Sequence, residues 1–205
     1  KSGQKCTAVR RIFVPDSRRD AFVESFLEEV SSRVTGSPDD ETVNMGPLAT
    51  ADQLSSVLDG VNKLKEVADV IHGNGERCDG VGAEAGKGYF FAPTILEARD
   101  EGGADVIHDL EVFGPVSTIC RYDGSAASAA CLNSRGAGTL VTSVYSDSDD
   151  WVHDFLRRGG SYSGRFYLGS EKMAPQAPGS GLALPSSLHG GPGRARGVPR
   201  PGARL

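Results

Sequence analysis

Gly3-Gln4-Lys5-Cys6 brings a glycine, an amide side chain and a thiol together just ahead of an apolar run, Ala8 to Val14. The thiolate is the reactive form of cysteine, and with an ordinary pKa near ~8.5 only a few per cent is ionised at neutral pH. A nucleophilic Cys6 therefore needs an activating environment. Gly3 lets backbone approach a substrate closely, and the amide of the cysteine itself can help hold an oxyanion. On spacing alone, the commoner fate of a lone cysteine stands against this: a packed, inert thiol. Cys78 falls in a glycine-rich loop, Cys120 in a strand pattern and Cys131 in a helix pattern, and these three read as packing or incidental. There is no CxxC pair. His72, His108, His153 and His189 are scattered without metal-ligand spacing, so no metal is expected. Read as a bare residue, Glu111 is a solvated strand-end charge and Phe113 a core aromatic beside the Gly114-Pro115 bend.

These side chains need a scaffold, and the hydrophobic pattern supplies one. Ala8 to Val14 reads as a strand ended by Pro15 and Asp16, with Asp16 as the N-cap of a following helix. Ala21, Phe22, Phe26, Leu27, Val30 and Val34 give that helix one apolar face. Residues 36–50 form a loop containing NMGPLAT. A second helix from Ala51 to Ala68 has Leu54, Val57, Leu58, Val61 and Leu64 on its face. ADVIHGNG reads as a short strand into a turn. Residues 77–87 form a polar, glycine-rich, mobile loop. GYFFAPTILE is a strand with Pro93 at an edge or an end, and EVFGPVSTICRY a strand interrupted at Gly114-Pro115. SAASAACLNS is a small-residue helix, GTLVTSVYS a buried strand, DSDDWVHDFLRR a helix capped by Asp147 or Ser148, and GRFYLGS the last strand. The alternation of strands and helices predicts an α/β fold with a mostly parallel sheet and flanking helices.

Composition narrows the function classes. The chain has 205 residues, 38% hydrophobic and 24% charged, enough for one domain with a substantial core. A net charge of −5 argues against a nucleic-acid partner. No stretch approaches the ~18 apolar residues of a membrane span, and no signal peptide stands at the start. Four cysteines without a disulfide framework suit reduced thiols in a cytoplasm. One domain is expected over residues 1–189. Residues 190–205, GPGRARGVPRPGARL after the leading glycine, carry arginines at 194, 196, 200 and 204, no acid and no aromatic, and are expected to form a disordered basic tail.

GQKC, MGPLATADQ, APTIL, EVFGPV, GTLVTSVYSDSDD and HGGPGR follow one another in this order. Together they resemble the catalytic domain of the aldehyde dehydrogenase superfamily, from Gly3 to about Arg194. GQKCTAVRRIFVP and GRFYLGSEKMAPQAPGSGLALPSSLHGGPGR are similar to the branch that oxidises CoA-linked semialdehydes in the breakdown of benzoyl-CoA and phenylacetate. The resemblance implies an aldehyde dehydrogenase-like catalytic domain whose N-terminal cofactor domain lies upstream in a longer protein. It implies that Cys6 is the nucleophile and passes through a thiohemiacetal and a thioester. It implies that Glu111 accepts hydrogen bonds from the nicotinamide ribose and that Phe113 packs by the nicotinamide. NAD or NADP is the implied cofactor, an aldehyde the substrate, CoA-linked in this branch, and a homodimer the assembled form. Gln4 belongs to the motif either as a backbone-bonding residue or as a substrate contact. His189 falls where the family lines the substrate mouth.

Two departures stand out. Many family members carry a basic residue near position 56, where this chain has Ser56. After HGGPGR the tail does not follow the family's glycine- and acid-rich continuation. The general-base glutamate, the oxyanion asparagine and the adenosine-binding lysine of the family are expected upstream. Two other readings are a truncated, inactive or non-enzymatic fragment, and a papain-like cysteine hydrolase. The latter needs a paired histidine and its own flanking motif, which KCTAV does not match.

Overall fold

The computed structural model describes residues 1–176 and 189–196. The long insert is described only as far as Gln176, and residues 177–188 and 197–205 of the insert and tail lie outside the described residues. The chain folds as two compact units, Lys1–Gly124 and Ser125–Leu205.

The first unit is built on a four-stranded sheet in the order β1-β4-β3-β2. Its strands are β1 (Arg11–Pro15), β2 (Ala68–His72), β3 (Thr94–Ala98) and β4 (Val116–Tyr122). β4 pairs in parallel with both β1 and β3, while β2 runs antiparallel to β3 at the edge. Pro93 immediately precedes β3, so its missing N–H costs the ladder nothing. Helix α1 (Arg19–Ser31) packs Phe22, Phe26, Leu27 and Val30 against Val14, Ile95 and Ile119 of the sheet. Helix α2 (Ala51–Lys65) packs Val57, Val61 and Leu64 with Leu96, Ile107, Val116 and Cys120. The parallel α/β arrangement expected from the sequence is the one observed.

The differences are local and have physical causes. β1 starts at Arg11, because residues 1–8 turn back on themselves, with Ala8 N–H bonded to Lys5 C=O at 2.8 Å. Asp16 does not cap α1. A 3-10 turn, Asp16–Arg18, intervenes, and Arg18 stands at the cap without a side-chain bond. On α1 the buried residue is Val23, while Ala21 is exposed. α2 stops at Lys65 rather than Ala68, where Arg99 takes over its last carbonyls, donating to Glu66 C=O at 2.6 Å and Lys65 C=O at 3.1 Å. A five-residue helix, α3 (Asp105–Asp109), was not evident in the pattern. Within residues 77–87, Arg77 donates to Lys87 C=O at 2.8 Å, and Asp79 accepts from Gly86 N–H at 2.9 Å.

The second unit holds α4 (Ala126–Arg135), β5 (Thr139–Tyr145), α5 (Asp149–Gly159) and β6 (Ser163–Gly169). β5 and β6 pair in parallel as a two-stranded sheet. With one ladder neighbour among the described residues, β5 is mostly half-buried rather than buried. Ser148 caps α5 by accepting from Trp151 N–H at 3.3 Å. Residues 189–196 return to the start of β5, with Arg194 N–H bonded to Ala137 C=O at 2.9 Å. A Cβ on Gly191 would stand 2.5 Å from Thr139 C=O, so this glycine permits a backbone approach that no other residue allows.

Candidate active site

The segments that carry GQKC and EVFGP meet at their glycines. Gly3 has φ +68°, a conformation L side chains rarely adopt, and a Cβ placed there would lie 2.1 Å from Gly114 C=O. Gly114 in turn lies against α2, where an added Cβ would meet Val57 Cγ2 at 2.7 Å. A side chain at Gly3 would push the two loops apart, and one at Gly114 would push the bend off α2.

Gln4 ties a third segment to these two. Its Nε2 donates to Gln53 Oε1 at 2.5 Å and to Phe113 C=O at 3.3 Å, and its Oε1 accepts from Ala49 N–H at 3.0 Å. Gln53 sits in the first turn of α2, and Thr50 caps that turn by accepting from Gln53 N–H at 3.2 Å. Ser2 Oγ donates to Gly46 C=O at 2.7 Å on the same loop. GQKC, MGPLATADQ and EVFGP, separated by up to about a hundred residues in sequence, thus form one hydrogen-bonded cluster. Of the two roles open to Gln4, the described contacts are those of a structural tie. Leu48 is buried beneath the loop, with its N–H bonded to Tyr89 C=O at 2.9 Å.

Cys6 lies two residues beyond Gln4 in a turn, and it is exposed. Glu111 is exposed, and Phe113 is 41% exposed, so neither the packed thiol nor the core aromatic is what the fold makes of these residues. Glu111 and Phe113 line one surface depression together with Gly3, Lys5, Arg10 and Gly114. Cys6 is next to Lys5 in the chain but is not among the lining residues of that depression. Ser56, where a basic residue stands in many relatives, turns its hydroxyl onto its own helix and donates to Asp52 C=O at 2.8 Å.

The other thiols lie elsewhere. Cys120 is fully buried in β4. Cys78 is half-buried, and burial pushes its thiol up from the ordinary value, the direction that suppresses thiolate. Cys131 is exposed on α4, so packing does not explain it. None of the four cysteines is in a disulfide. Among the described residues no cluster of His, Cys, Asp and Glu could hold a metal, and no helix is long and apolar enough to cross a membrane. His189 opens the described segment 189–196 of the second unit.

Sequence reasoning placed Leu48 and Gln53 beside the cofactor cleft without naming their contacts, and it passed over Thr50 and Arg10. Thr50, three residues ahead of Gln53, has the form of a helix cap and was open to being found. Arg10 gave no signal, because the Leu110 and His108 carbonyls it bonds are backbone groups that every residue carries.

Residues 1–178 match the model of the aldehyde dehydrogenase family. The chain belongs to that family. It is 34% identical over 203 residues to 3,4-dehydroadipyl-CoA semialdehyde dehydrogenase of Aromatoleum evansii, covering 98% of this chain and 39% of that protein. It is 31% identical over 190 residues to (Z)-2-((N-methylformamido)methylene)-5-hydroxybutyrolactone dehydrogenase of Acinetobacter baylyi, covering 92% of this chain and 36% of that one. Among solved structures it is similar to 1-pyrroline-5-carboxylate dehydrogenase from Thermus with bound NAD, with a TM-score of 0.69 and 27% identity over 82% of this chain and 30% of that chain. It is also similar to 3,6-anhydro-L-galactose dehydrogenase in complex with NAP, with a TM-score of 0.72 and 26% identity over 82% of this chain and 34% of that chain. The chain therefore spans under two-fifths of the length of these two curated relatives.

Proposed function

We propose that this chain carries the catalytic cysteine and part of the cofactor cradle of an NAD(P)-dependent dehydrogenase that oxidises an aldehyde, a CoA-linked semialdehyde, to its carboxylic acid. The observation that carries this reading is the joining of the Cys6 loop to the Glu111–Gly114 bend through Gly3 and Gln4. An exposed thiol and an exposed carboxylate with its neighbouring ring are thereby held on two loops of one cluster. The CoA-linked substrate draws support from the name of the Aromatoleum evansii relative, and the nicotinamide cofactor from the NAD bound to the Thermus structure.

The residues present fit that cofactor. Glu111 offers a carboxylate able to accept two hydroxyl hydrogens, as a ribose diol requires. Phe113 leaves an aromatic face open beside it. Gly3 and Gly114 line the same depression and let its two walls meet backbone to backbone. Cys6 acts as thiolate. Its sulfur adds to the aldehyde carbon, the carbonyl oxygen becomes an oxyanion, and a thiohemiacetal forms. We assign the amide of Cys6 as a donor to that oxyanion. When bound, the nicotinamide supplies a hydride acceptor at its C4. Loss of hydride leaves an acyl thioester on Cys6. Water adds to it, releases the acid and returns the thiolate, so one aldehyde, one oxidised cofactor and one water give one acid, one reduced cofactor and one proton. A homodimer in a reducing cytoplasm completes the proposal, in keeping with four cysteines outside any disulfide.

The test is Cys6→Ala in the full-length polypeptide that carries this chain. Aldehyde-dependent formation of reduced cofactor is expected to fall by at least about 10³-fold, since removal of a covalent nucleophile leaves only binding and electrostatic contributions. An undiminished rate would refute the assignment.

A further inference from the structure

The segment that carries Glu111 and Phe113 is held by an arginine that belongs to the strand leaving Cys6. Arg10 stands four residues after Cys6 and one before β1. Its own carbonyl accepts from Thr118 N–H at 2.9 Å, so its backbone is fixed in the β1–β4 ladder. Its guanidinium donates through Nη1 to Leu110 C=O at 2.7 Å and through Nη2 to His108 C=O at 3.2 Å.

The position of those two carbonyls gives the contact its consequence. Leu110 C=O belongs to the planar peptide unit whose nitrogen is that of Glu111. Holding that oxygen sets the plane from which the Glu111 side chain departs. His108 C=O belongs to the last turn of α3, too close to the helix end for a following helical N–H to reach it. The rigid fork of an arginine spans both. The adjacent Arg11 reinforces the hold. His108 is buried, and its Nε2 lies 2.8 Å from Gly102 C=O, which accepts and so assigns the proton to Nε2. His108 Nδ1 then accepts from Arg11 Nη1 at 2.8 Å. The ring also stacks on Phe13 of β1, with centroids 6.2 Å apart. Two consecutive arginines just past the Cys6 loop thus fasten the residues immediately before Glu111. Arg10 itself lines the depression that Glu111 and Phe113 line.

We infer that Arg10 is a positioning residue for the cofactor: by clamping the Leu110–Glu111 peptide to the strand that carries Cys6, it fixes the aim of the Glu111 carboxylate at the ribose hydroxyls. Arg10 does not touch the reacting atoms. This inference rests on the reading of Glu111 as a cofactor contact.

A double-mutant cycle separates the two claims. Dissociation constants for NAD+ and NADP+ are measured by titration calorimetry on the full-length polypeptide unmodified, with Arg10→Gln, with Glu111→Gln and with both. The rate of Cys6 alkylation by iodoacetamide is followed in parallel to report on the thiol loop. Glu111→Gln is expected to weaken binding of the preferred cofactor about tenfold. Arg10→Gln alone is expected to weaken it nearly as much, and to add less than about twofold when Glu111 is already replaced. Alkylation of Cys6 should stay within about twofold throughout. Arg10→Lys, which keeps the charge but loses the fork, should fall between the unmodified protein and Arg10→Gln. Independent, multiplying effects of the two substitutions would overturn the positioning role, as would unchanged binding in Arg10→Gln. A collapse of Arg10→Lys binding together with a changed alkylation rate would also overturn it, by making Arg10 a general support of the loop. Full cofactor affinity in Glu111→Gln, or no cofactor binding by the unmodified polypeptide, would overturn the Glu111 reading itself.

Discussion

Gly3 bears the tightest constraint in the candidate site. Its φ of +68° and the 2.1 Å that an added Cβ would leave to Gly114 C=O act together, because relieving either one moves the loop that holds Cys6. Left-handed backbone costs an alanine about 1–2 kcal/mol even in open space, and here there is backbone in the way. Gly3→Ala is therefore expected to destabilise the protein by at least about 2 kcal/mol and to lower dehydrogenase activity more than tenfold. Thermal denaturation alongside turnover would check both. Gly86, whose added Cβ would meet nothing within 4 Å, is the control: Gly86→Ala pays only for its φ of +77° and should leave turnover intact. Residue chemistry made Cys6 legible as a candidate, but its exposure was not legible. A lone cysteine before an apolar run can be buried or presented, and what presents this one is a pair of contacts, Gly3 with Gly114 and Gln4 with Phe113, across more than a hundred positions of chain. Phe113 posed the same difficulty, whereas Glu111 is exposed as a solvated charge would be. As an isolated residue Phe113 suggested a core ring, and only the bend after α3 shows it turned outward.

Helices and strands were the most readable features wherever hydrophobic period and caps agreed. α2 has its apolar face at the expected positions and a threonine cap, and α5 has Ser148. α1 shows where local signals mislead. Asp16 looks like a cap, but Pro15 closes β1 and a 3-10 turn uses up the next three residues before the helix begins. α3 escaped notice because five residues are too few to show a period. α5 also carries a pH-dependent feature. Asp154 accepts from Arg158 Nε at 2.8 Å and Arg157 Nη2 at 2.6 Å, and these bonds hold its carboxyl below the usual carboxylate range. A carboxyl depressed in the folded state adds stability that is present above its unfolded pKa of about 3.9 and is lost as pH falls through the lower folded value. Asp154→Asn should therefore lower the melting temperature slightly at pH 7, and the gap between the two proteins should shrink as pH falls below about 3.9 and close once it is below the depressed folded value. A gap that persists undiminished at pH 3 would show that the charge of Asp154 is not what the arginines read.

Taken whole, the chain announces its family through six ordered motifs, and residues 1–178 match that family's model. What the order did not reveal is which motifs touch. The structure joins GQKC, MGPLATADQ and EVFGP in the first unit. HGGPGR serves the second unit by packing its backbone on the start of β5. The site stands open: thiol, carboxylate and ring are all exposed, whereas hydride transfer and thioester chemistry proceed best with bulk water excluded. With this chain spanning 39% of the Aromatoleum evansii relative, the covering surface is expected from polypeptide outside it. The covalent step is the most exposed part of the account. In the full-length polypeptide, mixed with an aldehyde and NAD+ or NADP+ and quenched in acid within one turnover, trypsin releases Cys6–Arg10 as a separate peptide between Lys5 and Arg11. Mass spectrometry should find the acyl group of the substrate on that peptide, and only when oxidised cofactor was present. Reduced cofactor formed with no acyl group on Cys6, or with the acyl group on the peptides of Cys78, Cys120 or Cys131, would contradict it.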